Sequence, residues 1–574
     1  MPQETRSCKN CSKNFGIEPE DFVFYQKMDV PPPTWCPLCR EMRRWSFRNE
    51  RNLYPRQCDK CKKQVISTIS PDKSLTVYCR DCFNSDEFEP TAYGREFDFT
   101  RPVFDQIREL MHQVPIIALL GGMNCINSDY VNMETDDKNC YMNVGGHFNE
   151  DCYYNTFSLY GKNNVDNYWV YHSELLYESS DCHTCYRCFF CRNIVSCNEC
   201  WLCFDCRGCS NCFGCTNQRN KQYMIFNEQL SKEEYASRIA ELTKDYAALE
   251  YAKKQFEQTR LTRPHRHAFA EKCERSTGSN ITQCKNVTAG FDCDESEDAK
   301  YVQIGLQMKD SFDGSAVGIG ELVYEAVGCG WISRSLCCVS CFIGMNFAYY
   351  SLFCRNSDYL FGCVSMKKNQ YCILNKQYSK EEYEALVPKI MEHMKTTEEW
   401  GEFFPPQLSL FGYNESVAQA YFPLTKKEAL AKGFPWQDAI GFTTGKETIS
   451  AGDVPEIDEV RTDIIKEILC CIVCKRNYKI IAQELQFYQS AHLPLPRQCP
   501  QCRHENRMRL RGTSHVLHHR TCVCAGTTSA NGVITNIATH VHGDNPCPNN
   551  FETAYTPDSP EIIYCEACYQ AEVI

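Results

Sequence analysis

Cysteines stand in pairs spaced to grip a metal ion. Cys8-x-x-Cys11 is separated by 24 residues from Cys36-x-x-Cys39, and Cys58-x-x-Cys61 by 17 residues from Cys79-x-x-Cys82. Two thiolates at that spacing share one tight turn. Two such turns supply the four ligands that tetrahedral Zn2+ takes in small ribbons with little core of their own. Cys471-x-x-Cys474 with Cys499-x-x-Cys502 repeats the first set in register: Phe24-Tyr25-Gln26 returns as Phe487-Tyr488-Gln489 and Cys39-Arg40 as Cys502-Arg503, with Cys470 surplus.

The second set returns altered. Tyr564-Cys565-Glu566-Ala567-Cys568 matches Tyr78-Cys79-Arg80-Asp81-Cys82, Thr556-Pro557-Asp558 matches Ser70-Pro71-Asp72, and Cys547 falls where Cys61 does. The counterpart of Cys58 is then Cys522 or Cys524, with an insertion of about twenty residues that carries His540-x-His542. One cysteine and two histidines are left over, as ligands of a further ion or as exposed loop residues. The expected cofactor is about four Zn2+ ions, or five if the insertion binds one.

A different pattern fills 182–215, where Cys182, Cys185, Cys188, Cys191, Cys197, Cys200, Cys203, Cys206, Cys209, Cys212 and Cys215 form a ladder of period three. A weaker copy lies about 147 residues downstream, where Ser173-Glu174-Leu175-Leu176-Tyr177-Glu178 recurs as Gly320-Glu321-Leu322-Val323-Tyr324-Glu325 and Phe213-Gly214-Cys215 as Phe361-Gly362-Cys363. In that register Cys182, Cys206 and Cys215 meet Cys329, Cys354 and Cys363, but Cys185 meets Ile332, Cys188 Ser335, Cys209 Ser357 and Cys212 Leu360. A metal ligand cannot become isoleucine, whereas a small buried residue can, and free cysteine packs as one. The ladder reads as a packing stripe. A thiolate or iron–sulfur cluster there, in a thiol-redox or metal-handling protein, is the rival reading.

Basic residues follow both outer ribbons. Arg40, Arg43, Arg44 and Arg48 run on to Arg51, Arg56, Lys60, Lys62 and Lys63 with Trp45 and Phe47 interleaved, and Arg503, Arg507, Arg509, Arg511 and Arg520 follow the later one. Such segments neutralise phosphates and stack bases, or form a solvated surface. Their recurrence favours an anionic partner. The whole chain, however, carries a net charge of −12, so it is no nucleic-acid coat.

With 574 residues the chain exceeds one core. Forty-two cysteines behind a polar opening without a secretion signal read as metal ligands and reduced thiols in a cytoplasmic protein. The longest apolar run, 114–120, is too short to cross a membrane. Units such as Asn139-Cys140-Tyr141, Asp151-Cys152-Tyr153 and Asp166-Asn167-Tyr168 recur every 11 to 15 residues, as coils of a β-solenoid would. The three-residue period within the ladder fits short strands bent at corners or a polyproline-II-like run. Ser231 with Glu234, and Ser379 with Glu382, are capping boxes that open a helix closing each copy. The first should run to about residue 261, and the second should kink or restart at Pro388.

The expected fold is mostly β with added helices (α+β), with ribbons at both ends of a duplicated solenoid-like centre. By residue the expected segments are ribbons at 1–55 and 56–95, a helical connector at 96–125, a first repeat copy at 126–262, a linker at 263–278 and a second copy at 279–399. An aromatic, proline-rich wrap at 400–465 and ribbons at 466–512 and 513–574 complete the chain.

The ribbon pattern of Cys-x-x-Cys, Phe-Tyr-Gln, then Cys-x-x-Cys-Arg resembles the "probable zinc-ribbon" domain of uncharacterised bacterial proteins. More broadly the chain is similar to cysteine-rich multi-ribbon proteins of uncultivated small-genome bacteria. The shared runs are Tyr93-Gly94-Arg95-Glu96-Phe97-Asp98-Phe99, Glu402-Phe403-Phe404-Pro405 and Tyr564-Cys565-x-x-Cys568-Tyr569. The resemblance implies zinc at the matched cysteines and no reaction. No hydroxyl nucleophile with a His and carboxylate partner, phosphate loop or His-Glu-x-x-His motif is found, and His172 and His183 read as surface or core residues. The reading is a non-enzymatic zinc-binding scaffold whose partner is a nucleic acid or ribonucleoprotein, or a protein docked on the centre.

Overall fold

The computed structural model describes residues 3–512 and 514–574; Met1, Pro2 and Thr513, at the ends of expected ribbons, lie outside the described residues. The fold is mixed α and β with many small sheets. The chain divides into two units. One comprises Met1–Leu120, Ala268–Ile440 and Ser514–Leu517, the other Gly121–His267, Gly441–Thr513 and His518–Ile574. Each unit thus combines one end of the chain with one repeat copy, the N-terminal cysteine sets with the later copy and the C-terminal sets with the earlier one.

Every third residue from Met133 to Phe226 has φ between 45° and 75°. Each of these left-handed residues turns a corner, so twelve residues make four short sides and return the chain above its starting point. Parallel pairing follows that register: Tyr141 lies on Tyr153, Val165 on Tyr177, and Phe189 on Trp201. The unequal expected spacing of 11 to 15 residues resolves into twelve, and the period of three comes from corners. The later copy uses the same register, with Phe291 on Gln303 and Cys293 on Gly305. One of its turns has thirteen residues, since Ile332 meets Met345 and Leu336 meets Tyr349.

A left-handed residue with a side chain costs roughly 1–2 kcal/mol. Hydrogen bonds between turns offset this, since the N–H of corner residue Phe190 donates to Tyr177 O at 2.8 Å and that of Phe189 to Cys200 O at 2.9 Å. The residue after each corner points inward, so four side chains fill each turn. Three successive turns are filled by Cys182, Cys185, Cys188 and Cys191, then Ile194, Cys197, Cys200 and Cys203, then Cys206, Cys209, Cys212 and Cys215, all buried. In the later copy the inward positions hold larger residues beside glycines. A Cβ on Gly305 would lie 2.4 Å from Val302 Cγ1, and one on Gly320 2.8 Å from Met308 Sδ. Glycines thus leave room for the larger neighbours, and the interior is filled with different chemistry in the two copies.

The stack in the earlier copy ends where Gln222–Ile225 pairs antiparallel with Glu228–Gln229, followed by the helix Lys232–Leu242 with its capping box. The single helix expected over 231–261 is interrupted. Asp245 accepts the Ala248 N–H at 2.7 Å and starts a second helix, Tyr246–Leu261, because a local cap competes with helix continuation. Conversely, Lys380–Thr396 runs through Pro388 without restarting. The carbonyl of Glu384, which proline deprives of its donor, belongs to an exposed residue, where solvent can satisfy it. The expected linker 263–278 is also structured. Pro264–Arg266 pairs with Ile562–Tyr564, and Ala270–Glu271 adds to the later stack. The helix Val103–Gln113 occupies the expected connector. In the wrap, Phe403, Phe404 and Tyr413 are buried anchors, and Tyr421 stacks on Trp45 at 5.7 Å.

Candidate metal centres

The cysteines paired from the sequence converge. Cys8, Cys11, Cys36 and Cys39 form one group, Cys58, Cys61, Cys79 and Cys82 a second, Cys471, Cys474, Cys499 and Cys502 a third, and Cys522, Cys547, Cys565 and Cys568 a fourth. Within each group the ligand atoms lie within 4.8 Å of one another. A tetrahedron with metal–sulfur bonds of ~2.3 Å has edges of ~3.8 Å. The observed separations are 3.8 Å for Cys11–Cys36, 3.8 Å for Cys61–Cys79, 3.6 Å for Cys474–Cys499 and 3.9 Å for Cys547–Cys565. These match one ion among four thiolates and far exceed the ~2 Å of a disulfide.

Local structure sets this geometry. In the first three groups the leading pair sits on a turn completed by a left-handed residue, Ser12, Lys62 or Lys475. Its N–H returns to the carbonyl of Cys8, Cys58 or Cys471. In all four the trailing pair opens a helix: Cys36, Cys79, Cys499 and Cys565 cap Pro37–Trp45, Arg80–Asn84, Pro500–Arg511 and Glu566–Val573. The unpaired N–H groups and dipole of a helix start favour thiolate. Each capping cysteine also donates its own N–H to the first sulfur of its group, at 3.2 Å to Cys8, 3.2 Å to Cys58, 3.3 Å to Cys471 and 3.2 Å to Cys522. Hydrogen bonding by Cys39, against the opposing effect of burial, holds the Cys36 thiol down to about 5. Cys499 likewise holds Cys471 down to about 4. The same hydrogen bonds push Cys39 and Cys499 up, so each pair keeps a proton that a bound metal would displace.

The split pair is completed by Cys522. Cys524 instead joins His540, His542 and Cys568 in a fifth group.

The ladder cysteines behave differently. Cys188 Sγ donates to Tyr186 O at 3.4 Å and Cys197 O at 3.5 Å, and Cys203 Sγ to Trp201 O at 3.4 Å and Cys212 O at 3.6 Å. A sulfur placed to donate to two carbonyls acts as a protonated thiol. Among the described residues, none of the five potential metal groups includes a ladder cysteine.

Seven of the eight arginines expected to meet nucleic acid have buried side chains, which corrects their expected role. Arg40 and Arg44, 1% and 0% exposed, reach Asp313 at 2.9 and 3.1 Å, and Arg43 reaches Glu325 at 2.8 Å. Arg48 pairs with Glu50 at 2.6 Å. Arg503 and Arg507 converge on Asp166 at 2.7 and 3.2 Å, and Arg511 binds Asp181 at 2.7 Å. Arg509 alone is exposed, bonded to Asn506. Burial by itself would lower Arg503, but Asp166 and the surrounding tyrosines and Glu484 outweigh it and hold the guanidinium well above its ordinary value. Asp166, Asp181 and Asp313 are left-handed corner residues, as is Glu325. Corners aim their side chains outward, where ribbon helices meet them. These partners were not recognised in sequence. The signal was available, because Asp166 and Asp313, like Tyr177 and Tyr324, share the register of the duplication. Phe24 stacks on Phe312 at 3.9 Å and Tyr25 meets Tyr324 at 5.7 Å, while Phe487 and Tyr488 meet Tyr177 at 6.0 and 5.4 Å.

No protein-family model matches the chain, and no curated protein does. Among solved structures, a protein from Desulfovibrio desulfuricans G20 proposed to be an acetyltransferase is similar over 43% of this chain and 77% of its own. Identity is 7% and the TM-score 0.10, a likeness that carries no argument about fold or activity. Among the described residues, no helix is long and apolar enough to cross a membrane.

Proposed function

We propose that this protein is a non-enzymatic scaffold built on structural zinc, in which the ribbons of each unit pack on that unit's own copy of a duplicated β-solenoid. The observation that carries the reading is the set of four tetracysteine groups with sulfur separations near a tetrahedral edge. Four thiolates complete the shell of a single ion and leave no position for substrate, so metal binding contributes to folding and not to a reaction. The twelve-residue parallel register supports the solenoid reading, and the ribbon motifs support kinship with multi-zinc-ribbon proteins.

On this reading the partner-binding surface lies away from Arg40, Arg43, Arg44, Arg503, Arg507 and Arg511, whose guanidiniums are engaged by carboxylates of the stacked turns. Elemental analysis and native mass spectrometry of protein purified under reducing conditions test the reading. Zinc in at least four sites per chain is the expected outcome. Iron with visible absorbance, or metal in clear excess, would overturn it in favour of a cluster-binding or redox protein.

A further inference from the structure

The fourth and fifth metal groups share Cys568. Its Sγ lies 3.6 Å from Cys547 Sγ on one side and 3.4 Å from His542 Nε2 on the other. Seven residues are present for two four-coordinate ions, which need eight positions, and one thiolate counted twice makes up the difference. We propose that the C-terminal ribbon holds two zinc ions bridged by the thiolate of Cys568: one bound by Cys522, Cys547 and Cys565, the other by Cys524, His540 and His542. This inference rests on the structural-zinc reading and extends it to a binuclear centre.

The insertion is built to present these ligands. His540 Nε2 bonds Glu572 Oε1 at 3.0 Å, with both side chains buried. Glu572 is itself fixed by the N–H groups of Ile537 and Ala538, each at 3.0 Å. A carboxylate on one ring nitrogen sets the tautomer and leaves Nδ1 with its lone pair for a metal, the usual outer support of a zinc-bound histidine. His542 is held in the opposite sense. Its Nδ1 donates to Asn545 O at 2.6 Å, which leaves Nε2 facing Cys568. The rings stack at 5.2 Å, as two ligands to one ion can. Cys524 Sγ accepts from Asn536 Nδ2 at 3.3 Å, and Asn536 is oriented by the Tyr564 hydroxyl at 2.8 Å. Exposed loop histidines would need none of this second layer.

The test is metal counting on the full chain by native mass spectrometry and elemental analysis. Five zinc ions are expected in the parent, four in Cys524→Ala and in the His540→Ala/His542→Ala double variant, and three in Cys568→Ala. Because Cys568→Ala could unfold the ribbon, the parent loaded with 113Cd provides an independent readout. Its Cys568 β-protons should correlate with two cadmium resonances, and every other ligating cysteine with one. Four ions in the parent with the Cys8, Cys58 and Cys471 sites filled, or a single cadmium correlation at Cys568, would overturn the bridge and leave the structural-zinc reading standing. Empty sites at Cys8, Cys58 and Cys471 would overturn both.

Discussion

At the scale of single residues, burial decides what a charge does. Arg44 and Arg503 look like phosphate contacts in sequence, yet each lies against carboxylates that are themselves buried, Asp313 and Asp166. Asp313 keeps Arg40 and Asp166 keeps Arg507, so removing one guanidinium leaves each buried carboxylate under-compensated, at a cost of about 3 kcal/mol, the lower end of that for a charge left wholly unpaired. Arg44→Ala and Arg503→Ala should therefore lower stability by that amount in chemical denaturation. Arg509→Ala, at an exposed position, should change it by less than about 0.5 kcal/mol. Equal small effects in all three would refute the internal-anchor role. His265 makes a second residue-scale case. Burial, then the charge of Arg260, push it down from 6.5 to about 4. The unfolded chain takes up this proton first as pH falls, so the stabilisation is complete above about 6.5 and is lost progressively toward 4. Over that window it amounts to roughly 3 kcal/mol. His265→Gln should lose about 2 kcal/mol less than the parent between pH 6.5 and 5, and identical pH profiles would rule this out.

At the scale of elements, the stacked turns explain why cysteine is abundant without being reactive. Four inward side chains must fit a ring of twelve residues, a larger one such as Ile194 being accommodated beside small neighbours, and cysteine fills the remaining positions while its S–H still meets carbonyls. Cys200→Leu should overpack the turn and cost about 1–3 kcal/mol, visible as a lowered Tm. In the native, metal-loaded protein, a short pulse of alkylating reagent read out by mass spectrometry should leave the ladder from Cys182 to Cys215 unmodified. Exposed Cys61 should be labelled once metal is withdrawn. Labelling of the ladder before unfolding would mean that these sulfurs are accessible and the packing account fails. The ribbon helices illustrate the same dependence between elements. Pro37–Trp45 and Pro500–Arg511 each have cysteine ligands at one end and arginine anchors along the buried face, so metal and ion pairs hold one helix jointly.

At the scale of the molecule, the structural-zinc reading makes each unit depend on metal, since small ribbons have little core of their own. Structural zinc contributes on the order of 10–16 kcal/mol per site in small ribbons at neutral pH. Chelation should lower Tm steeply and make it depend on free zinc. It should also expose Asp313 and Asp166 as their guanidinium partners detach, which would sharpen the loss at low salt. A Tm independent of chelator would contradict structural metal.

The sequence by itself determined the local chemistry: which cysteines form the first three tetrads, that one of Cys522 and Cys524 together with His540 and His542 is surplus to the fourth, and that the ladder reads as packing. These follow from spacing and from substitutions visible between internal copies, which depend on one turn or one side chain at a time. Tertiary structure alone decided the rest. The twelve-residue register requires corners to align between turns. The helix break at Thr243 and the continuity through Pro388 turn on a local cap and on exposure. The fate of the arginines depends on carboxylates some 270 to 340 residues away in sequence. No window of sequence contains both halves of such a pair, and the field that a charge meets is set by what folds against it.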